Sequence, residues 1–352
     1  QTSKKTRPKT PASTAVASPE PAPVRWSVAP GWRPDLLDGF ERLDLPLTAE
    51  PLPGESEVVA TLVRRTLEAD PRRDLRCRAV LSLPGWNDYF FHAHTAEFFE
   101  AHGFTFYALD PRRSGRSLRD PAYRDFVTDL AEPFEELDAA RELIASTHSS
   151  LTLSGHSTGG LTASLWASKR PGKLDALVLN SPWLTLWGAP GYGRALLPAM
   201  DVLSRRDPLT ELKVPDSSGR YTRWIHTSGH GEWDFDLDLK APGGVPIRTG
   251  WLRAVLLGQR QVARGLAIEA PIFVGCSARS FLTASRYSER ARTSDIVLDT
   301  DNLAASASRL GRLVTLVRVD HGFHDLTLSV PDARARYFAE LERWLGAYVP
   351  EP

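Results

Sequence analysis

Apolar residues form two kinds of run along this chain, and the two kinds alternate from about residue 26 onward. Short, almost wholly apolar runs, which are typical of buried strands, lie at residues 77–83, 104–109, 151–154, 174–180, 271–275 and 314–319. Runs with helical spacing lie at residues 94–102, 132–144, 157–166, 302–310 and 331–348. Strands that alternate with helices predict an α/β fold, with a mostly parallel central sheet and helices on both faces. Two earlier stretches, 39–47 and 57–65, predict an antiparallel pair at the start of the sheet.

The alternation stops between residues 184 and 270. This stretch contains several glycines and prolines but no strand–helix rhythm. A structureless loop of this length is implausible in a compact domain. We therefore predict a cap (lid) inserted at 184–270, which divides the core into a first part at 26–183 and a second part at 271–352. The alternative is a separate folding unit that is unrelated to a site.

The composition is that of a globular protein. Hydrophobic residues make up 42% of the chain, charged residues make up 24%, and the formal net charge is zero, so no long-range field favours nucleic acid. No apolar run approaches the roughly 20 residues that a membrane helix needs. Cys77 and Cys276 have no metal-type spacing. We expect no cofactor, no metal, no nucleic-acid partner and no integral membrane segment.

Residues 1–25 contain several prolines, serines and threonines and no apolar repeat. This composition predicts a disordered Pro-rich tail. The sequence begins at Gln1 and not at a methionine, so an upstream signal would lie outside it. From the residues present we expect a cytoplasmic protein, and the sequence does not indicate an oligomeric state.

The motif Gly155-His156-Ser157-Thr158-Gly159 follows a predicted strand and precedes a predicted helix. In that context G-x-S-x-G forms a sharp turn, which presents the serine hydroxyl at a helix N-terminus. Backbone N–H groups and the helix dipole favour an oxyanion there. The motif therefore predicts Ser157 as a nucleophile, and the alternative is a glycine-rich turn with an incidental serine.

An oxyanion hole needs two backbone donors. One is the N–H of the residue after the nucleophile, Thr158, and the other comes from the loop after the strand at 77–83. In that loop Pro84 has no N–H. We therefore predict that Trp86 supplies the second donor.

A serine nucleophile needs a base, and the base needs an acid that orients it. In this arrangement the partners follow in the order serine, acid, histidine. Two histidines, His321 and His324, follow the last predicted strand, and one of them is expected to be the base. The candidate acids are Asp295, Asp299 and Asp301. The last two lie beside a predicted helix start, where aspartate commonly acts as an N-cap.

Together these motifs resemble the α/β-hydrolase superfamily and, within it, the monoacylglycerol lipase and lysophospholipase-like serine hydrolases. The resemblance covers about residues 50–347. It rests on GHSTG at 155–159, LDPRRSGRS at 109–117, LNSP at 179–182, DIVLD at 295–299 and GFH at 322–324.

The resemblance implies an α/β-hydrolase fold and selects among the candidates. In such lipases the D-x-x-x-D run carries the catalytic acid first, and the final loop ends on an aromatic residue followed by the catalytic histidine. These features imply Asp295 and His324. Two features differ from the usual pattern: Pro84-Gly85 stands where the family usually has His-Gly, and residues 276–294 separate Asp295 from its strand.

The implied activity is hydrolysis of carboxylic esters through an acyl-enzyme on Ser157, with monoacylglycerol- or lysophospholipid-like substrates. The tryptophan-rich cap favours a small-molecule ester with an apolar acyl group, contacted by Trp224, Trp233 and Trp251. The same residues are also compatible with amide cleavage, carbon–carbon bond cleavage or perhydrolysis. A hydrolase-like binding protein that does not use these groups is the non-enzymatic alternative.

Overall fold

The computed structural model describes residues 31–186, 188, 192–213 and 218–349. The tail predicted at residues 1–25 lies outside the described residues, and so does Trp187 of the predicted cap.

One sheet runs through the described part of the chain and contains nine strands. The strands are β1 Arg33–Pro34, β2 Phe40–Pro46, β3 Val59–Arg65, β4 Arg78–Leu83, β5 Phe104–Asp110, β6 Ser150–His156, β7 Ala176–Asn180, β8 Ile272–Ser277 and β9 Val314–Val319. Their order is β1-β2-β3-β5-β4-β6-β7-β8-β9. Strand β2 is antiparallel to both β1 and β3, and β3 is antiparallel to β5, whereas all neighbouring pairs among β4 to β9 are parallel. The predicted parallel sheet and its opening antiparallel pair are confirmed, and the short strand β1 was not predicted.

In the described residues, helices form at the five predicted places, and four further helices between residues 192 and 292 were not predicted. The helices are α1 Ala93–Ala101, α2 Phe134–Ala145, α3 Ser157–Lys169, α4 Tyr192–Arg206, α5 Ser218–Ile225, α6 Thr249–Arg264, α7 Glu289–Arg292, α8 Thr300–Ala307 and α9 Pro331–Tyr348. The helix predicted at 302–310 begins earlier, at Thr300, because the side chain of Asp299 accepts the Asn302 N–H and caps it.

Helices cover both faces of the sheet because successive strand residues point to opposite sides. Leu81 of β4 lies in an apolar core with residues of α2, α3, α6 and α8, whereas its neighbour Val80 lies in a second core with residues of α1 and α9. Tyr337 and Trp344 of α9 belong to this second core. The two cores fix the carboxyl ends of the parallel strands, where the candidate residues lie.

Residues 184–270, called the inserted segment below, connect β7 to β8 and contain α4, α5 and α6. Helix α6 packs on α3, and its Trp251 and Val255 belong to the core that α3 shares with the sheet. Helix α5 contributes Tyr221 and Trp224 to a separate apolar cluster that also contains Phe323. The segment therefore spans from the main core to the loop after β9. No helix within the described ranges is long and apolar enough to cross a membrane.

Candidate active site

The turn from β6 to α3 holds Ser157 in a backbone conformation that residues other than glycine rarely adopt. Strand β6 ends at His156, α3 begins at Ser157, and the φ angle of Ser157 is 50°. A non-glycine residue with positive φ carries a conformational cost. A Cβ at Gly155 would lie 2.8 Å from the Gly160 Cα, and a Cβ at Gly159 would collide with the carbonyl oxygen of Pro84. Both motif glycines are therefore required by close backbone packing around the serine.

Ser157, His324 and Asp295 form an unbroken chain of hydrogen-bond contacts. The His324 Nε2 lies 3.0 Å from the Ser157 Oγ, and the His324 Nδ1 lies 2.9 Å from the Asp295 Oδ2. All three residues are buried. An ionised carboxylate can only accept, so the Nδ1 carries the ring proton and the Nε2 lone pair faces the serine hydroxyl. In this geometry the histidine can take the serine proton.

The other carboxylate oxygen of Asp295 is anchored to the backbone. Its Oδ1 accepts the N–H of Val297 at 2.7 Å and the N–H of Leu298 at 2.8 Å. These two bonds fix the rotation of the carboxylate and leave Oδ2 for the histidine.

The other two candidate acids have different partners. Asp299 caps α8, as its place beside the helix start predicted, and Asp301 lies in the first turn of that helix and forms an ion pair with Arg318 at 2.6 Å. Of the three candidates, the structure brings only Asp295 to His324.

The residues that separate β8 from Asp295 leave the strand and return to it. The Asp295 N–H donates to the Arg279 carbonyl at 2.8 Å, and the Phe281 N–H donates to the Asp295 carbonyl at 2.7 Å. Asp295 therefore pairs with backbone just beyond the end of β8, although residues 282–294 intervene along the chain. The insertion changes the sequence spacing but not the place of the carboxylate beside the sheet.

The two candidate histidines occupy different environments. His321 is exposed, and its φ of 61° belongs to the turn that follows β9. His324 is buried, and its ring lies 5.5 Å from the ring of Tyr221. The preceding Phe323 packs on the same tyrosine and fixes this part of the loop.

The predicted oxyanion donors flank the serine. Thr158 is the second residue of α3, so its N–H belongs to the first turn, where N–H groups have no partner within the helix. The loop with Trp86 follows β4 and lies against the serine, since a Cβ at Gly85 would be 3.1 Å from the Ser157 Cβ. The ring of Trp86 meets the ring of Trp251 edge-on.

The three tryptophans predicted to contact substrate separate into two places. Trp251 and Trp86 line a small cavity with Thr158, about 60 Å³ in volume. Trp224 and Trp233 line a different cavity of about 270 Å³, whose walls include Phe323 but none of Ser157, Asp295 and His324. The indole N–H of Trp233 donates to the Leu328 carbonyl at 3.1 Å.

His156, inside the motif, is kept neutral. Burial lowers its pKa to about 4, and its Nδ1 lies 3.0 Å from the Asn180 carbonyl oxygen. A carbonyl only accepts, so the Nδ1 donates the bond. The His156 ring therefore carries no positive charge at neutral pH, although it lies only 4.8 Å from the ring of His324.

Several polar residues around the site were not predicted. Asp325, next to His324, accepts from the Asn180 side chain at 2.7 Å and from the Thr327 N–H at 2.8 Å, and contacts with His92 and Thr327 hold its pKa well below the usual range. Asn87 and Lys240 also belong to this set. They are joined to their partners across large sequence separations, and no local spacing indicates such pairs.

One group in the described part of the chain has the spacing of a metal site. Ligand atoms of Asp88, His92 and Asp325 lie within 4.8 Å of one another. The Asp88 carboxylate is paired with the Lys240 ammonium at 2.7 Å, and that positive charge opposes a bound cation. We assign no metal to this group.

The parallel sheet, the strained serine between strand and helix, and the contacts from Ser157 to Asp295 define the class of α/β-hydrolases. Within this class, residues 76–328 match the family described as serine aminopeptidase, S33, and the chain belongs to that family. The resemblance drawn from the motifs is thereby confirmed.

Three similar proteins are lipases or esterases by name. The chain is 28% identical over 184 residues to a monoacylglycerol lipase of Mycolicibacterium smegmatis; the match covers 51% of this chain and 62% of that lipase, less than two thirds of its length. A monoacylglycerol lipase structure from Paleococcus ferrophilus matches with a TM-score of 0.57 and 19% identity, covering 77% of this chain and 94% of the other. A carboxyl esterase structure from Bacillus coagulans matches with a TM-score of 0.60 and 14% identity, covering 88% and 99%. The two structures support the α/β-hydrolase fold.

Proposed function

We propose that this protein is a serine hydrolase that cleaves carboxylic esters through an acyl-enzyme on Ser157. The observation that carries the proposal is the continuous set of contacts from Asp295 through His324 to the Ser157 hydroxyl. A serine becomes a useful nucleophile when such a base accepts its proton. The family membership and the lipase and esterase names of the relatives support the same chemistry.

In the first half of the reaction, Ser157 Oγ attacks the ester carbonyl carbon while its proton passes to the Nε2 of His324. Asp295 stabilises the imidazolium that forms and holds the ring orientation. The imidazolium then gives the proton to the leaving alcohol as the carbon–oxygen bond breaks. In the second half, water repeats these steps on the acyl-enzyme and releases the acid.

The negative charge of each tetrahedral intermediate falls on the former carbonyl oxygen. We assign the backbone N–H groups of Trp86 and Thr158 to this oxygen, because Thr158 follows Ser157 in the first turn of α3 and Trp86 follows Gly85, which packs against Ser157. Loss of one such donor typically costs roughly 10²- to 10³-fold in kcat.

We propose that the inserted segment acts as a cap and that its tryptophans select the acyl group. Trp251 packs against Trp86 and so would contact the acyl carbons next to the carbonyl. Trp224 and Trp233 line the larger cavity and would contact only a substrate long enough to reach it. An apolar acyl ester, such as a monoacylglycerol or a lysophospholipid, fits this arrangement.

The family description names an aminopeptidase, so amide cleavage is the second candidate. The test is a panel of p-nitrophenyl esters of increasing chain length, with a monoacylglycerol, a lysophospholipid and an aminoacyl p-nitroanilide in parallel. We expect turnover of the esters to exceed that of the anilide. The reverse order would replace the ester assignment by amide hydrolysis.

The nucleophile is tested separately. Ser157→Ala should abolish labelling by a fluorophosphonate and lower ester turnover by roughly 10⁴- to 10⁶-fold. Labelling or turnover that persists in a folded Ser157→Ala variant would refute the acyl-enzyme. Failure of the unmodified protein both to label and to hydrolyse any member of the panel would favour the non-enzymatic binding protein.

A further inference from the structure

The two residues that follow Trp86 are joined to the inserted segment by buried polar contacts. The Asn87 Oδ1 accepts the N–H of Ala241 at 2.8 Å, and the Asn87 Nδ2 donates to the carbonyl of the same residue at 2.9 Å. One side chain thus satisfies both backbone groups of one residue in the inserted segment. Asn87 is 1% exposed, so water does not substitute for either bond.

The next residue forms an ion pair with the same place in the segment. The Asp88 carboxylate lies 2.7 Å from the Lys240 Nζ, and both side chains are 3% exposed. A buried charge is tolerated only where a partner compensates it. Each member of this pair therefore requires the other, and Lys240 cannot leave Asp88 without an electrostatic cost.

The core of the protein holds the same loop from its other side. The Asn87 N–H donates to the Asp125 Oδ2 at 2.8 Å, the Phe90 N–H donates to the Asp110 Oδ1 at 3.1 Å, and the Ser114 hydroxyl donates to the Asp88 carbonyl at 3.0 Å. Asp110 and Ser114 belong to the LDPRRSGRS motif. The core thus binds the backbone of the loop, while the inserted segment binds its side chains.

This double attachment lies immediately after the proposed oxyanion donor. Asn87 has a φ of 53°, so the chain turns sharply directly after Trp86. The peptide between Trp86 and Asn87 shares the Trp86 Cα with the peptide that carries the Trp86 N–H. A rotation of the first peptide therefore also shifts the direction of the Trp86 N–H. The contacts of Asn87 and Asp88 with the inserted segment oppose that rotation.

We propose that Asn87 and the Asp88–Lys240 pair are positioning residues, which couple the seating of the inserted segment to the direction of the Trp86 N–H in the oxyanion hole. The inference rests on the proposed acyl-enzyme chemistry and adds a condition to it. The oxyanion hole is complete only when residues 240–241 are docked on the loop. Closure of the segment and assembly of the hole are then one event.

A positioning role of this kind affects the tetrahedral state more than the bound ester. Asn87→Ala and Lys240→Met should each lower kcat by roughly tenfold to 100-fold with little change in KM, less than the full loss of one donor. A trifluoromethyl ketone, which adds to the serine and forms an oxyanion, should bind each variant more weakly by the same factor. The binding of a non-reactive alcohol analogue of that ketone should not change.

The Asp88–Lys240 ion pair allows a double-mutant cycle in kcat, and a second ion pair within the inserted segment provides a control variant. Because Asp88 and Lys240 act together, the double variant Asp88→Asn, Lys240→Met should lose no more kcat than the worse single variant. Arg253→Gln breaks the pair with Asp201, at 2.7 Å within the inserted segment and away from the loop, and should retain the parent kcat. Lys240→Arg keeps the charge and should retain more kcat than Lys240→Met.

The outcomes separate the two proposals. If folded Asn87→Ala and Lys240→Met keep the parent kcat and ketone affinity while Ser157→Ala is inactive, the coupling is refuted and the acyl-enzyme stands. If Ser157→Ala keeps its turnover, the acyl-enzyme itself is refuted. Should Lys240→Met fail to fold, the ketone affinity of folded Asn87→Ala decides, and an unchanged value would refute the coupling.

Discussion

Replacing Asp295 by asparagine tests the proposed site most directly, because the structure dictates how the new amide must lie. The Oδ1 of Asp295 accepts two backbone N–H groups, from Val297 and Leu298. An amide nitrogen cannot accept hydrogen bonds, so the side-chain oxygen of the introduced asparagine must keep this position. The amide NH₂ then faces the Nδ1 of His324, where the carboxylate oxygen was.

The ring of His324 must then accept at Nδ1 and carry its proton on Nε2. That tautomer donates to the Ser157 hydroxyl and cannot take its proton. A loss of about 10⁴-fold in kcat is the known cost of this wrong tautomer in a serine protease. It corresponds to about 5.4 kcal/mol in the activation free energy. We expect a loss of this order for Asp295→Asn.

The assay is the steady-state hydrolysis of p-nitrophenyl butyrate, with thermal unfolding as the test of folding. Asp299→Asn is the matched control, because asparagine caps a helix about as well as aspartate and this side chain caps α8. The control should retain nearly the parent kcat and stability. A folded Asp295→Asn variant within tenfold of the parent, or an equal loss in Asp299→Asn, would refute the assignment of the acid.

The base, the cap and one partly buried acid each give a further prediction. His324→Ala should remove ester turnover, and the exposed-site variant His321→Ala should retain most of it. The reverse result would identify His321 as the base in place of His324. Trp233→Ala should reduce kcat/KM for long acyl esters more than for acetate, by a factor that corresponds to roughly 1–3 kcal/mol, whereas Trp251→Leu should affect short and long esters alike; if folded Trp233→Ala keeps the parent chain-length profile, the cap does not select the acyl group. Loss of hydration raises the pKa of Asp125 to about 7, above that of an unfolded aspartate. The free energy of unfolding should therefore fall with pH, by about 1.4 kcal/mol per unit between roughly pH 5 and 7, relative to Asp125→Asn in urea titrations, and parallel profiles would contradict this.

The features that could be predicted from the sequence are those set by local rules. The motif around Ser157 predicted its sharp turn because the flanking glycines and the strand-to-helix context are adjacent in sequence. The capping role of Asp299 followed from its place beside a helix start in the same way. Parallel strands were recognisable because strands buried on both faces are continuously apolar.

Contacts between distant segments could not be predicted. Asn87 meets Ala241, and Asp88 meets Lys240, across about 150 residues, and neither pair leaves a periodic or compositional trace. The separation of Trp224 and Trp233 from Trp251 also depends on how α5 and α6 pack. Tryptophan content alone predicts burial but not which cavity each ring lines.

Residues 279–295 leave the end of β8 and return to it, and this segment has two separate roles. Its ends fix the position of Asp295, and its middle lines a cavity. A backbone hydrogen bond joins Arg279 to Asp295, at the two ends of this segment. The position of the Asp295 carboxylate is therefore fixed where the segment leaves and rejoins the sheet. The middle of the segment contributes Tyr287 and Arg292 to the wall of the 270 Å³ cavity. Under the proposed function, mutations and length changes within residues 282–294 should therefore change substrate preference while Asp295 keeps its position beside His324. In evolutionary terms, this arrangement allows one part of the chain to vary in sequence while the contacts proposed for catalysis are kept.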